Sequence, residues 1–149
     1  MTKRKDFEKR FLPFNENGTQ IWVVSKIKEL PPPIVAMAVN LARLHFIRYI
    51  RITDDTLAAS SENRPKSPKI PVTDVGHTTA IGIQILYNKK YKSVDFFDIN
   101  SPVKGKGSQM AGAILDSLPK TWRPSVFMDW SNGFWEKIKK RYPHHTWRP

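Results

Sequence analysis

The spacing of apolar residues changes period several times along the chain, and each change marks an element. From Ile21 to Ile27 the run Ile-Trp-Val-Val-Ser-Lys-Ile is β-branched and aromatic, which predicts a strand. Pro31-Pro32-Pro33 stops it, since proline cannot donate to a sheet ladder but fits the first turn of a helix. From Ile34 to about Arg51 the period becomes helical: Ile34, Met37, Leu41 and Leu44 fall on one side, with Ala38 and Ile47 beside them and no Gly or Pro between. This is the longest helix the sequence predicts. Two strand-like runs follow, His77 to Tyr87 and Ser93 to Ile99, with Asn88-Lys89-Lys90 as the hairpin tip between them. A second helix runs from Met110 to Leu118, with Met110, Ile114, Leu115 and Leu118 on one side. Pro119 and Pro124 bracket its exit, Ser125 to Trp130 forms another strand, and Asn132 to Arg141 another helix.

The segments between are polar. Residues 1–19 are charged and carry the turn signal Asn15-Glu16-Asn17-Gly18. Residues 59–73 are rich in Ser, Pro and Lys, the composition of a mobile loop. There is no internal repeat and no heptad pattern, so residues 1–149 are expected to form one domain.

Composition narrows the class. The chain of 149 residues is 40% hydrophobic, with 5 Trp, 8 Phe and 4 Tyr, enough for a core and unlike a disordered basic tail. It has 0 Cys, which removes disulfides, thiolate metal sites and thiol nucleophiles together. No apolar run reaches the roughly 20 residues of a membrane span. No apolar stretch follows the basic start Met1-Thr2-Lys3-Arg4-Lys5, so a cleaved signal is not expected. The expected location is cytoplasmic, with no membrane partner. Against 13 acidic residues stand 25 Lys and Arg, a formal charge of +12. That charge attracts phosphates, whether of nucleic acid or of a phosphorylated cofactor. The cations are dispersed, at Arg43, Arg48 and Arg51, at Lys89, Lys90 and Lys92, at Lys104 and Lys106, and at Lys137, Lys139, Lys140 and Arg141. Most of them fit a solvated surface.

One segment carries recognisable chemistry. Between a predicted strand and a predicted helix lies Lys104-Gly105-Lys106-Gly107-Ser108-Gln109. A helix N-terminus offers unpaired N–H groups and partial positive charge, glycines admit an anion to the backbone, and lysines add Coulombic attraction. Together these features describe a pyrophosphate cradle. The spacing excludes the Walker loop Gly-x4-Gly-Lys-[Ser/Thr]. It also excludes the dinucleotide fingerprint Gly-x-Gly-x-x-Gly, because Gly112 comes two residues late.

The stretch from Asp95 to Leu118 resembles the acetyl-CoA-binding motif of the GNAT superfamily of N-acyltransferases, a strand, then [Arg/Gln]-x-x-Gly-x-[Gly/Ala], then an amphipathic helix. Lys104 stands at the Arg/Gln position, Gly107 at the central glycine and Gln109 at the last small residue. Asp129-Trp130-Ser131-Asn132-Gly133-Phe134-Trp135-Glu136-Lys137 is similar to the final strand and helix of that family, whose signature resembles Phe-Tyr-x-Lys. The resemblance covers roughly the last 55 residues well and the first 75 poorly. It implies an α/β fold with a mixed, mainly antiparallel central sheet, a splayed pair of parallel strands and flanking helices. It also implies acetyl-CoA as the acyl donor and an N-acetyltransferase activity, by direct attack of an amine. Pantetheine would pair with the strand around Phe97, Ile99 and Ser101. The pyrophosphate would rest on residues Lys104, Gly105, Lys106, Gly107, Ser108 and Gln109, with Asn132 nearby.

Candidate chemical groups follow from the same frame. Strict alternation puts Asp95, Phe97 and Ile99 on one strand face, and Phe96 and Asp98 on the other. A carboxylate in a central strand is unfavourable to bury unpaired, so Asp95, Asp98 and Asp129, in or at the ends of the predicted strands, are the candidate bases, with Asp98 and Asp129 placed in the site. The family's Tyr that protonates the leaving thiolate is matched here by Trp135, which makes Tyr142, further along the chain, the candidate acid. His45 and His77 are isolated and His144-His145 are adjacent rather than at ligand spacing, so no metal site is predicted. Aromatic and basic residues interleave at Trp122-Arg123, Arg141-Tyr142 and Trp147-Arg148. That pairing suits a single-stranded nucleic-acid binder, and also a packed core. The alternative expectation is therefore a non-catalytic nucleic-acid-binding or interaction module, or an acyltransferase with an RNA-linked acceptor.

Overall fold

The computed structural model describes residues 7–9, 18–24, 27, 29–127, 129 and 133–148. The elements run β1 (Phe7–Lys9), β2 (Gln20–Val24), α1 (Pro32–Arg43), β3 (Tyr49–Ile52), β4 (Thr56–Ser60), β5 (Asn63–Arg64), β6 (Ser67–Pro71), β7 (Gly82–Asn88), β8 (Ser93–Asn100), α2 (Lys106–Leu115), β9 (Arg123–Val126) and α3 (Phe134–Arg141). Seven strands form one sheet in the order β1-β2-β3-β4-β7-β8-β9, and β5 with β6 forms a separate hairpin. The pairs β2/β3 and β8/β9 are parallel, joined through α1 and α2 respectively, and the other pairs are antiparallel. The class is α/β with a mixed, mainly antiparallel sheet.

Register explains why the sheet has one apolar face. Across paired strands, Ile21, Ile50, Ala59, Ile83 and Ile99 lie in one row, and Val23, Ile52, Leu57, Ile85, Phe96 and Val126 in the next. Apart from Ile99 and Val126, which are half-buried, these residues are buried. A slip of one residue would carry such a row to the opposite face, which fixes the register. The helices cover this face. On α1, Ile34, Met37, Ala38 and Leu41 point inward at helical spacing. Asn40 ties α1 to α2, donating to Ser117 Oγ at 2.7 Å and to the Ala113 carbonyl at 3.3 Å. Trp135 of α3 packs against Phe96 with ring centroids 4.6 Å apart.

The first helix is shorter than its sequence predicts. It ends at Arg43, Leu44 is extended, and Tyr49–Ile52 form a strand. Ile47, Ile50 and Ile52 are all buried, so the apolar run beyond Leu44 fits the core equally well at strand period, and sheet pairing with β2 and β4 decides between them. Thr53 makes the turn that follows, its hydroxyl accepting the Thr56 amide at 3.0 Å. The expected strand from His77 begins only at Gly82. Residues 59–73, expected as a mobile loop, contain the end of β4 and the β5–β6 hairpin, which lies over β3 and β4.

Two packing details constrain the fold tightly. Gly82 lies where a Cβ would stand 2.4 Å from the Val72 carbonyl oxygen and 3.1 Å from that of Ala59, so the 72–73 segment crosses β7 at backbone contact. Past α3, the tail straps back over the sheet: Trp147 stacks near Phe96 and the Arg148 amide donates to the Pro124 carbonyl at 2.8 Å. His145 is buried in this strap, with Nε2 3.1 Å from the Leu115 carbonyl. A carbonyl only accepts, so Nε2 carries the proton. Nδ1, buried with no partner, is then the bare nitrogen.

Gly82→Ala should lower stability by about 1–3 kcal/mol, read as a fall in melting temperature of several degrees. Burial holds the His145 pKa below its ordinary value, outweighing the Leu115 bond that raises it. The unfolded chain therefore takes up its proton first as pH falls below about 6.5, and folding stability is lost from there down to the folded value. Denaturant unfolding between about pH 7 and pH 5 should show that loss, and His145→Gln should flatten it.

Candidate functional site

β8 has two halves with different neighbours. From Ser93 to Phe96 it pairs with β7 on one side and β9 on the other. The last rung to β9 among the described residues is the Phe127 amide donating to the Phe96 carbonyl at 2.9 Å. From Asp98 to Asn100 the strand remains paired with β7 alone among the described residues. At the same point the β7–β8 ladder jumps from Ile85↔Phe96 to Gln84↔Asp98, so Phe97 is the extra residue of a bulge. Among the described residues the β8/β9 ladder thus ends beside a bulge, and one edge of β8 is open next to the start of α2.

The bulge overturns the alternation expected for Asp95 to Ile99. Asp95 pairs with Leu86 and Asp98 with Gln84, which are two residues apart on β7, so both carboxylates lie on the face away from the helices. Phe96 and Ile99, paired with Ile85 and Ile83, both face the core. The two Asp residues then differ in role. Asp95 accepts a bond from Ser125 Oγ and lies 3.7 Å from Arg148 Nη1, holding β9 and the tail at the paired end. Asp98 lies at the parting end, where burial first and then the negative charge of Asp74 raise its pKa above the ordinary carboxylate value. Asp74 is itself held by Arg64 at 2.8 Å.

The loop from Ser101 to Gly105 turns β8 into α2. Ser101 donates to the Val103 carbonyl, and the Lys106 amide donates to the same oxygen at 3.3 Å. Gly105 caps α2 with φ +90°, and a Cβ there would meet nothing within 4 Å, so its backbone angle and not crowding favours glycine. Among the described residues no side chain caps the helix, and the amides of Gly107 and Ser108 meet no acceptor. Gln109 is exposed and its amide bonds the Gly105 carbonyl at 3.3 Å, so it does not fill the turn. Lys104 is exposed, and Lys106 Nζ stands 5.0 Å from the centroid of the Phe46 ring. Gly107 is buried against Phe134 and Ile99. Loop, helix start and open strand edge meet here, bringing together Phe97, Ile99, Ser101 and the residues from Lys104 to Gln109.

The other candidates lie apart. Asp129 is exposed beyond the end of β9, and Asn132 falls outside the described residues. Tyr142 reaches the middle of α2 instead of its start: its hydroxyl is 3.1 Å from where a Cβ on Gly112 would be and bonds Asp116. Burial, then the Asp116 hydrogen bond, raises its pKa. Trp135 is core.

Two residues of this region are missing from the sequence expectations. Phe127 is 57% exposed and its ring lies 5.0 Å from that of Phe97, so a pair of aromatic rings flanks the parting of the strands. Asn100 is buried and clasps the 76–80 loop, accepting the Gly76 amide at 2.9 Å and donating to the His77 and Ala80 carbonyls at 2.9 and 2.7 Å. The sequence signal for it is a polar residue ending an apolar strand just before Ser101-Pro102. No family model, no curated protein and no solved structure matches this chain. No helix among the described residues is long and apolar enough to cross a membrane.

Asn100→Ala breaks all three bonds, and should lower stability by about 1–3 kcal/mol while speeding hydrogen exchange at the Gly76 amide.

Proposed function

We propose that the chain is a GNAT-like N-acetyltransferase that takes acetyl-CoA as donor and acylates an amine. The observation that carries this is the pair of unpartnered amides, Gly107 and Ser108, at a glycine-capped helix start beside the open edge of β8. Amides left without acceptors at a helix start fit a pyrophosphate, and the cations of Lys104 and Lys106 match its charge. The β8 edge around Phe97, Ile99 and Ser101 has main-chain groups to orient the amide-rich pantetheine arm. Bound acetyl-CoA supplies the activated acetyl group.

The remaining work falls to residues of the chain. Asp98, on the open face beside the bulge, takes the proton from the acceptor's ammonium so that a neutral amine attacks. Its raised pKa makes it a stronger base than an ordinary carboxylate. Backbone N–H groups near the bulge at Phe97 stabilise the charge on the carbonyl oxygen. Tyr142 is committed to Asp116 at the far half of α2, so the leaving thiolate takes its proton from water.

Calorimetric titration with acetyl-CoA should show saturable binding. Lys104→Glu with Lys106→Glu should weaken it about tenfold or more at low salt, and Lys104→Glu alone, at an exposed loop position, should weaken it with melting temperature little changed. Asp98→Asn should keep cofactor binding but lose about 10²-fold or more in transfer to an amine acceptor. The wild-type rate should fall with acidity at a pH above the usual carboxylate range, as Asp98 protonates. Absence of any binding heat and thermal shift at millimolar acetyl-CoA would remove the proposal.

A further inference from the structure

At the other end of the sheet lies a cavity of about 860 Å³. It is lined by the buried rings of Tyr87 and Trp122, with Glu29 and Asp54 coming from the β2 and β3 side and Lys89 and Lys92 from the β7–β8 turn. β8 alone, at ~3.3 Å per residue, separates this end from the α2 loop by roughly 20 Å or more. The start of α1 borders the cavity but gives it no amide donors. Pro31, Pro32 and Pro33 have none, and the Ile34 and Val35 amides both bond the Pro31 carbonyl, at 2.9 and 3.2 Å. Any anion held here is held by lysine side chains.

The turn carrying those lysines is ordered. Asn88 Oδ1 accepts the Lys90 and Tyr91 amides at 2.9 and 3.0 Å, and Lys92 closes the turn with φ +51°. Tyr91 is held out in solvent at 69% exposure, with Lys90 Nζ 5.5 Å from its ring centroid. Its other side borders a second cavity of about 400 Å³ that shares Tyr87 with the first and ends at Arg148. A cationic turn with an exposed ring therefore stands between two hollows.

We propose that this end of the molecule binds single-stranded nucleic acid, independently of the cofactor loop. Phosphates lie against Lys89, Lys90 and Lys92, and a base stacks on Tyr91. The carboxylates on the opposite side select the partner. Glu29, exposed at the rim of the cavity, repels a ligand that is only anionic, such as a phospholipid surface or an acidic peptide. A nucleotide strand instead presents phosphates to one wall and exocyclic amines to the other, and a carboxylate accepts from cytosine N4. The hollow shape also suits splayed bases better than a flat bilayer.

The test is fluorescence anisotropy of the full chain with labelled oligo-dC and oligo-dT of about 12 nucleotides, titrated between about 50 and 200 mM salt. Oligo-dC should bind with steep salt dependence and more tightly than oligo-dT, which lacks the exocyclic amine, and Glu29→Gln should narrow that gap. Lys89→Glu with Lys92→Glu should lower the log–log salt slope by ~1.4 and weaken binding about tenfold or more. Tyr91→Ala should weaken it about fivefold or more. These side chains leave the core untouched, so acetyl-CoA titration of the same variants should match wild type. Lys104→Glu with Lys106→Glu should bind oligo-dC as wild type does. Four results would overturn the proposal: no oligonucleotide binding at about 50 mM salt; turn variants that bind normally; free dCMP binding as tightly as the strand; or capture by phosphatidylserine vesicles in place of oligo-dC.

Discussion

The hydrogen bond from the Phe127 amide to the Phe96 carbonyl is the last rung between two parallel strands among the described residues, and the geometry of the α2 end of the sheet depends on it. Upstream of it, β8 is a central strand, buried and paired on both sides. Downstream, the same strand has one free edge among the described residues, running into a glycine-capped helix whose Gly107 and Ser108 amides meet no acceptor there. Both crossovers return to a parallel neighbour, but their helix starts differ. The β2/β3 connection enters α1 through three prolines, and the free amides of that helix start bond Pro31.

The bulge at Phe97 solves a problem that can be seen in the residues themselves. Asp95-Phe96-Phe97-Asp98 cannot alternate in a sheet with one apolar face: strict period two sends one of the carboxylates into the core. One extra residue turns both Asp side chains outward and both Phe96 and Ile99 inward. The consequence is local and chemical. Asp98 is placed where partial burial and Asp74 raise its pKa, beside the open strand edge, while Asp95 stays in the paired half to hold β9 and the tail.

What was legible in the sequence follows from this. Helical spacing located α1, α2 and α3, because that signal is local, but α2 starts at Lys106, four residues before the expected Met110, so Lys106 to Gln109 are its first turn and not a loop. The ends of elements were less legible. Leu44 to Ile52 carries apolar residues that serve either period, and only pairing with β2 and β4 makes the second part a strand. Residues 59–73 read as loop by composition, and their hairpin arises from lying over β3 and β4. Tyr142 follows the last helix in sequence, but its hydroxyl meets Asp116, a partner set by how α3 lies along α2. Asn100 has three bonds to a loop some twenty residues away, which no spacing rule reveals. The cation clusters were visible as a count, but the sheet order that sets Lys89 and Lys92 opposite Glu29 and Asp54 was not.

The two ends of the sheet therefore differ in kind. One presents main-chain donors freed by the parting of two strands, and the other presents side chains of both signs around a hollow. The main-chain donors are the central claim, and amide chemical-shift mapping of the ¹⁵N-labelled chain during titration with acetyl-CoA tests them most directly. Saturable shifts concentrated at Gly105 to Ser108 and along Phe97 to Ser101 are the predicted result. Shifts confined to other parts of the chain, or a spectrum unchanged at millimolar ligand, would contradict it.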